Sequence, residues 1–111
     1  MSERVYLDDL RQAPRGWIQT QTAQETIALL KQGDVEELSL DYNLGPSTTQ
    51  TGDAVLQWIE RQIHKNPEWP LPKVIRIHSG HYHGRQLMID HLDDIREQLK
   101  AAGREAPRAV W

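Results

Sequence analysis

The stretch RVYLDDLR, residues 4–11, decides the fold. Val5–Leu7 is a short apolar run of residues that favour β-structure, and Asp8 and Asp9 follow it directly. This pattern predicts a buried strand of a parallel sheet that ends in two acids. Ligands of open α/β sheets bind beyond the carboxyl ends of the strands, so both acids are predicted at a binding edge. The alternative is that Asp8 and Asp9 simply begin a loop.

Two further predicted strands also end in polar side chains. Residues 35–41 largely alternate between apolar and polar side chains and stop at Asp41. Residues 73–79 are rich in β-branched side chains and stop at His78 and Ser79. If the three strands lie side by side in parallel, these side chains and the first two acids converge on one rim of the sheet.

Three amphipathic segments are predicted as helices. Thr22 and Glu25 have the spacing of a capping box at the start of the first helix. The second helix is predicted over residues 52–64 with Thr51 as its cap, and the third over residues 84–102. Apolar residues at helical spacing form the predicted core stripes, which are Ala23, Ile27 and Leu30, then Val55, Leu56, Ile59 and Ile63, and finally Met88, Leu92, Ile95 and Leu99.

The predicted order of elements is β-α-β-α-β-α, which indicates an α/β fold. Right-handed crossovers should produce a small three-layer sandwich, with a mainly parallel β-sheet and helices on both faces. Residues 16–20 and 109–111 are candidate edge strands. We expect a single domain over residues 1–103, followed by a C-terminal tail over residues 104–111.

The composition limits the possible functions. The chain has 111 residues, a net charge of −3 and no cysteine, which excludes disulfides, thiolate catalysis and zinc–thiolate sites. Acids and bases are interspersed, so nucleic acid is not expected as a main partner. No apolar run approaches the roughly 18 residues of a membrane span, and the N-terminus lacks a signal-peptide pattern. We therefore expect a cytoplasmic protein without a membrane partner.

Asp8, Asp9 and Asp41 form a predicted cluster of carboxylates. Hard cations such as Mg²⁺ or Mn²⁺ prefer oxygen ligands, and Mg²⁺ usually keeps waters that a phosphate can displace. The alternative is that Asp8 or Asp41 caps a helix or bonds loop amides. Arg11, which follows the acids, also has two possible roles, because it can form a salt bridge to Asp8 or Asp9 or a bidentate contact with phosphate.

His78 is a candidate proton-transfer residue, because a histidine titrates near neutral pH and can act as general acid or base. The alternative is a hydrogen-bonded structural histidine. Ser79 and the amides after it precede a helix, and a helix N-terminus attracts anions. Arg85 in the first turn of that helix opposes the helix dipole, which favours a role in anion binding. We expect His81 to line the same pocket.

Two further patterns are weaker. The spacing His78-x-x-His81-x-His83 resembles part of a zinc site, but other ligands would have to come from elsewhere and no cysteine can supply them. Thr48 and Thr49 supply hydroxyls beside the second strand end, as in a lid or ligand loop.

Together, the strand-end motifs resemble the cyclic-phosphate processing receiver-like domain family. The resemblance covers the chain through the third helix and rests on Leu7–Arg11 with Pro14 and Trp17, on Ser39–Gly45 and on the pair His78-Ser79 before a helix. It implies a compact receiver-like fold in which Asp8 and Asp9 bind metal and Asp41 is the phosphoacceptor-like residue. It also implies that Ser79 stands near the hydroxyl position of receivers.

The resemblance implies activity on cyclic phosphates of nucleotides or ADP-ribose derivatives. Our first hypothesis is a metal-assisted phosphoesterase that acts on such a small phosphorylated ligand. Its catalytic residues would be Asp41 and His78, and its substrate-binding residues would be Arg11, Ser79, His81 and Arg85. Our second hypothesis is a non-catalytic nucleotide- or phosphate-binding module, or a degenerate receiver.

Two departures from the family pattern favour the second hypothesis. Tyr42 and Asn43 stand where that pattern has a histidine–aspartate pair, and no late strand carries the lysine of receivers. The sequence leaves the substrate, the metal and the oligomeric state open.

Overall fold

The computed structural model describes residues 3–45 and 50–111. Within these ranges the chain forms five strands and three helices. In chain order they are β1 (Glu3–Leu7), β2 (Ile18–Thr20), α1 (Ala23–Leu30), β3 (Val35–Leu40), α2 (Asp53–Lys65), β4 (Val74–Ile77), α3 (Tyr82–Ala101) and β5 (Arg108–Val110). The α/β class predicted from the sequence is confirmed; β2 lies within one candidate edge segment, and β5 overlaps the other but begins one residue earlier.

The five strands form one parallel sheet in the order β2-β1-β3-β4-β5. This is the order of flavodoxin-like doubly wound folds, whose ligands bind where neighbouring connections leave in opposite directions. Here the chain leaves β1 for β2 on one side and later enters β3 on the other side. The switch point therefore lies between β1 and β3, the two strands that end in the predicted acids. The parallel sheet is confirmed.

All three helices lie on one face of the sheet, because α2 packs between α1 and α3. The crossovers that contain them all advance in the same direction across the sheet, and right-handed crossovers of one direction place their helices on one face. The molecule is accordingly thin, with a shortest dimension of 22 Å. The β1–β2 connection runs in the opposite direction and contains no helix. The predicted third layer is thus not found in residues 3–45 and 50–111.

The core fills the space between the sheet and this single helix layer. The predicted stripe of α3 is confirmed, since its buried residues include Met88, Leu92, Ile95 and Leu99. Ile27 of α1 and Ile63 of α2 are only partly buried. Thr26 takes a core position in α1 instead, where its hydroxyl lies 2.7 Å from the hydroxyl of Thr20. The pairing of the two hydroxyls offsets the cost of burying them.

The first two helices begin in different ways. α1 begins at the predicted capping box, in which Thr22 Oγ1 accepts a 3.1 Å hydrogen bond from the amide of Glu25 and the Glu25 carboxylate accepts one of 3.1 Å in return. The N-cap of α2 is Gly52, which has no side chain to cap the helix, so the predicted Thr51 cap is wrong. Position 52 requires glycine because a Cβ there would collide with the backbone carbonyl of Asp41.

Candidate functional site

A cleft of about 570 Å³ opens at the carboxyl ends of β1, β3 and β4. The predicted site residues that line it are Asp8, Asp9, Arg11, Asp41, Ser79 and His81. Leu10, Asn43, Gly45 and Gly80 complete its walls. Arg85 and His78 are not among the described residues that line the cleft, and His78 lies in contact with Asp8 instead.

Asp8 occupies the centre of the site and is almost fully buried at the end of β1, with 1% of its surface exposed. Its Oδ1 accepts hydrogen bonds of 2.8 Å from the amides of Leu10 and Arg11. Its Oδ2 lies 3.1 Å from Nε2 of His78. One oxygen of Asp8 therefore bonds loop amides, as the alternative interpretation expected, while the other faces the remaining polar groups of the site.

The imidazole of His78 lies across β3 on the face of the sheet that carries no helices. Its Nδ1 is 2.7 Å from Ser39 Oγ and its Nε2 is 3.1 Å from Asp8 Oδ2. The ring stacks on Tyr6, with 4.2 Å between the centroids and 7° between the planes. Burial lowers the pKa of His78 below its ordinary value of 6.5, although Asp8 and Asp41 act in the opposite direction. The site therefore holds a neutral imidazole in a fixed orientation.

Sequence reasoning missed Ser39 and Tyr6. Each precedes a strand-end acid by two residues, and residues two apart along a strand point to the same face. The sheet register pairs Tyr6 of β1 with Ser39 of β3. A polar or aromatic side chain two positions before each strand-end acid is a signal that could have identified both residues. Serine is also small enough to let the ring of His78 cross β3.

Asp8, Asp41 and His78 form a compact group of candidate metal ligands. Each offers one ligand atom, and these atoms all lie within 4.8 Å of one another. Asp41 Oδ1 also accepts a 2.8 Å hydrogen bond from the amide of Tyr42. Asp9 lines the cleft, and its Oδ1 is buried without a hydrogen-bond partner among the described residues. The ligand atoms of Asp8, Asp41 and His78 fit a divalent cation such as Mg²⁺ or Mn²⁺, whereas Asp9, which was predicted to join the cluster, is not part of this group.

Ser79 and His81 shape the turn from β4 into α3. Ser79 Oγ accepts a 3.1 Å hydrogen bond from the amide of His81, and His81 Nδ1 accepts one of 2.9 Å from the amide of Gly84. His81 is therefore the N-cap of α3, and the helix begins at Tyr82, two residues earlier than predicted. The His81 ring also stacks on Tyr42 at 5.3 Å. Ser79 and His81, which were predicted to bind substrate, therefore both make hydrogen bonds that stabilise this turn.

The two arginines predicted to bind phosphate lie in different places. Arg11 lines the cleft, and its Nη1 donates a 3.3 Å hydrogen bond to the carbonyl oxygen at position 78. Within the described ranges no salt bridge joins Arg11 to Asp8 or Asp9, which leaves the guanidinium at the cleft. Arg85 is half-buried in the first turn of α3, outside the cleft lining. The threonines at positions 48 and 49 lie outside the described residues.

A comparison with known families decides the assignment. Residues 3–97 match the family described as the cyclic-phosphate processing receiver domain. The chain belongs to this family. The resemblance and the receiver-like fold predicted from the sequence are thereby confirmed. The match spans this receiver domain from β1 into α3 and leaves β5 outside it.

Two further comparisons identified no similar protein. Neither the curated proteins nor the solved structures yield a match to this receiver domain. None of its described helices is long and apolar enough to cross a membrane.

Proposed function

We propose that this receiver domain hydrolyses a cyclic phosphate on a nucleotide or ADP-ribose-like ligand by metal-assisted phosphoesterase chemistry. The observation that carries the proposal is the convergence of ligand atoms from Asp8, Asp41 and His78 within 4.8 Å. This group stands at the switch point of the sheet, where doubly wound folds bind their ligands. The family description, which names cyclic-phosphate processing, supports the class of substrate.

Asp8, Asp9 and Asp41 would hold Mg²⁺ or Mn²⁺ in this proposal. When bound, the metal would polarise a phosphoryl oxygen and lower the pKa of water. The loop amides that bond Asp8 Oδ1 keep this carboxylate in place at the end of β1. The unpartnered Oδ1 of Asp9 is available to a ligand without the loss of an existing hydrogen bond.

His78 would move the proton that ring opening requires. Water adds to phosphorus, one ester P–O bond of the ring breaks, and the released sugar oxygen takes up a proton. In the tautomer that carries its proton on Nδ1 and donates it to Ser39 Oγ, Nε2 would accept the proton that the water loses and return it to the sugar oxygen. The carboxylates of Asp8 and Asp41 would stabilise the imidazolium that exists between the two transfers.

Substrate contacts would come from the cleft walls and the turn before α3. Arg11 would bind non-bridging phosphate oxygens, and Ser79 and His81 would contribute together with the amides at the start of α3. Arg85 in the same helical turn would add positive charge to this end of the cleft. Leu10, which lines the cleft and is 89% exposed, offers an apolar surface to the sugar or base.

A second candidate function is a binding module that recognises the same ligand without turning it over. The observation that favours it is that several polar groups of the site already serve the fold. Ser39 and Asp8 occupy both ring nitrogens of His78, and Ser79 and His81 bond the turn before α3. Such groups are less free to act on a substrate.

The proposal is tested by turnover of nucleoside 2′,3′-cyclic phosphates and of cyclic-phosphate derivatives of ADP-ribose with Mg²⁺ or Mn²⁺. We expect Asp41→Asn and His78→Ala to lower kcat by roughly 100-fold or more, because the first removes a proposed metal ligand and the second removes acid–base catalysis. His64→Ala is the matched control, because this histidine is exposed on the last turn of α2. Its rate should equal that of the unaltered protein.

Two results would argue against catalysis at this site. Equal rates in all four proteins would show that turnover occurs elsewhere. Calorimetric binding that depends on Asp41, with the ligand recovered unchanged, would support the binding module instead.

A further inference from the structure

The helix-free face is the side of the sheet that points away from all three helices. Strand alternation and register place Arg4, Tyr6, Glu37, Arg76, Arg108 and Val110 on it. Parallel sheets occur almost only with both faces covered, because their crossovers supply helices to each side. A five-stranded parallel sheet with no helices on one face is therefore unusual, and a docking partner would cover that face.

The helix-free face is positively charged. Arg4 and Arg108 are exposed, and the side chain of Arg76 is 42% exposed. Among the acids that alternation places on this side of the sheet, Asp8 and Asp41 lie at its carboxyl edge in the candidate site, and Glu37 lies in its middle, where its Oε2 is 3.5 Å from Arg76 Nε. That distance makes an ion pair without a hydrogen bond, and Arg76 Nε has no hydrogen-bond partner among the described residues. Away from the carboxyl edge, three arginines and one glutamate thus give the face an excess of positive charge on a chain whose net charge is −3.

The outer side of α3 carries the opposite charge. Asp90, Asp93, Asp94 and Glu97 are all exposed there, and their helical spacing places them opposite the buried stripe of the same helix. We call these four residues the acidic stripe. Leu87, which is 47% exposed, flanks it and supplies an apolar contact.

We propose that the helix-free face binds the outer side of α3 of a second copy of this chain. The acidic stripe of one copy would meet Arg4, Arg76 and Arg108 of the next, and Leu87 would pack on Tyr6 or Val110. Docking of this kind restores the helix–sheet–helix arrangement that parallel sheets favour. The two surfaces lie on opposite sides of the molecule, so the contact is head-to-tail and generates a chain of copies.

The dimensions of the molecule suit such a contact. Its two longer extents are 38 Å and 32 Å, which leaves a broad face for a stable interface of at least about 1,000 Å². Opposite charges on the two surfaces steer the encounter and fix its orientation, and salt screens them over about 10 Å at 0.1 M. This inference does not depend on the proposed enzymatic function.

The experiment uses two charge-reversed variants of the full chain. In the first, Arg76→Glu and Arg108→Glu reverse the helix-free face, and in the second, Asp90→Arg, Asp93→Arg and Asp94→Arg reverse the acidic stripe. Sedimentation velocity measures the average mass from about 10 μM to about 1 mM protein at about 0.05 M salt. The unaltered chain should rise above its monomer mass of 12.8 kDa as the concentration increases.

Each variant alone should remain monomeric, because its two surfaces then carry the same charge. A 1:1 mixture should associate again, since the acidic face of the first variant meets the basic stripe of the second. Raising the salt to about 0.5 M should weaken association of the unaltered chain by roughly tenfold or more. Far-ultraviolet circular dichroism confirms that each variant is folded.

Three results would overturn the inference. These are a monomer at every concentration of the unaltered chain, association of either variant alone, and a mixture that stays monomeric. If a reversed variant does not fold, the neutral pair Arg76→Gln and Asp94→Asn replaces it, and each should weaken association without abolishing it. Binding of an acidic protein or a nucleic acid by a strictly monomeric chain would assign the face to that partner and reject self-docking.

Discussion

At the scale of single residues, three side chains from β1, its carboxyl end and β3 determine how the ring of His78 is oriented. Ser39 Oγ contacts its Nδ1 at 2.7 Å, Asp8 contacts its Nε2, and Tyr6 supports the plane of the ring. A histidine that keeps only one of its two nitrogen contacts can rotate and exchange tautomers. Replacing Ser39 therefore tests the orientation of the His78 ring while the ring itself is kept.

We expect Ser39→Ala to lower both stability and turnover. The lost hydrogen bond should reduce the free energy of unfolding by about 1 kcal/mol. Release of the ring should lower kcat by about tenfold and shift the ¹⁵N resonances of the His78 imidazole, which report its tautomer. Denaturant titration, turnover of a cyclic phosphate and ¹⁵N spectroscopy measure the three effects.

The matched control for this prediction is Thr26→Val, which removes a buried hydroxyl bonded to Thr20 at 2.7 Å. It should destabilise the protein to a similar extent and leave the ¹⁵N resonances of His78 unchanged. Equal ¹⁵N spectra in Ser39→Ala and the unaltered protein would mean that Ser39 does not orient the ring.

The same residues show what the sequence can predict at this scale. The convergence of Asp8 and Asp41 follows from a local rule, because strand-end residues of a parallel sheet share one edge. The contact of His78 with Ser39 depends on which strands are neighbours and in what register. Neither is a local property, so the ring that crosses β3 could not be predicted.

At the scale of elements, His91 links α2 to α3. Its Nδ1 lies 2.7 Å from Asp53 Oδ1 and its Nε2 lies 3.1 Å from Glu60 Oε1. Burial alone would lower the pKa of His91, but the hydrogen bonds to Asp53 and Glu60 outweigh it and raise the pKa above its ordinary value of 6.5. Gln98 of α3 also donates to Glu60, and with His91 it lowers the pKa of that carboxyl.

This link predicts a pH-dependent contribution to stability. Because the pKa of His91 is higher in the folded than in the unfolded protein, its contribution is fully present below pH 6.5 and is lost as the pH rises through the folded-state pKa. We expect the difference in unfolding free energy between the unaltered protein and His91→Gln to shrink across that rise. Denaturant titrations at pH values from about 5.5 to about 8.5 measure it.

The His91→Gln variant is needed for comparison because the titration of His78 changes the unfolding free energy with pH in the opposite direction. Its pKa is lower in the folded protein, so its contribution is present above pH 6.5 and is lost as the pH falls. The difference between the unaltered protein and His91→Gln cancels the part that belongs to His78. A difference that stays constant over the whole range would show that His91 is not charged between the two carboxylates.

The elements themselves differ in how far the sequence predicts them. The capping box and the stripe of α3 are local patterns with many matching positions, and both are confirmed. The strands β2 and β5 have three residues each, which is too short for alternation to distinguish them from loops. The start of α2 depends on the close approach of Gly52 to Asp41, which is a tertiary contact.

At the scale of the whole molecule, strand order determines where the helices lie. A β-α-β-α-β-α pattern is compatible with helices on one face or on both, because the direction of each crossover decides the face. The sequence does not contain that direction. Once β2 occupies one edge and β5 the other, every helical crossover runs the same way, and the helix-free face follows.

The C-terminal residues complete this sheet. β5 pairs with β4, Arg104 Nη2 donates a 2.8 Å hydrogen bond to the carbonyl of Trp69, and Arg96 Nε donates one of 2.9 Å to the carbonyl of Pro107. We therefore expect truncation after residue 103 to lower the free energy of unfolding by about 2 kcal/mol or more. The bare edge of β4 should also cause aggregation that increases with concentration.

Denaturant titration and light scattering test this prediction, with Trp111→Ala as the control. Trp111 is 48% exposed and follows β5, so its truncation should change stability by only about 0.5 kcal/mol. If residues 104–111 were a tail outside a domain of residues 1–103, the truncated chain would match the unaltered protein in both measurements. Loss of stability in the truncated chain alone would place residues 104–110 within the domain, because Trp111→Ala keeps the pairing of β5 and the hydrogen bonds of Arg104 and Arg96.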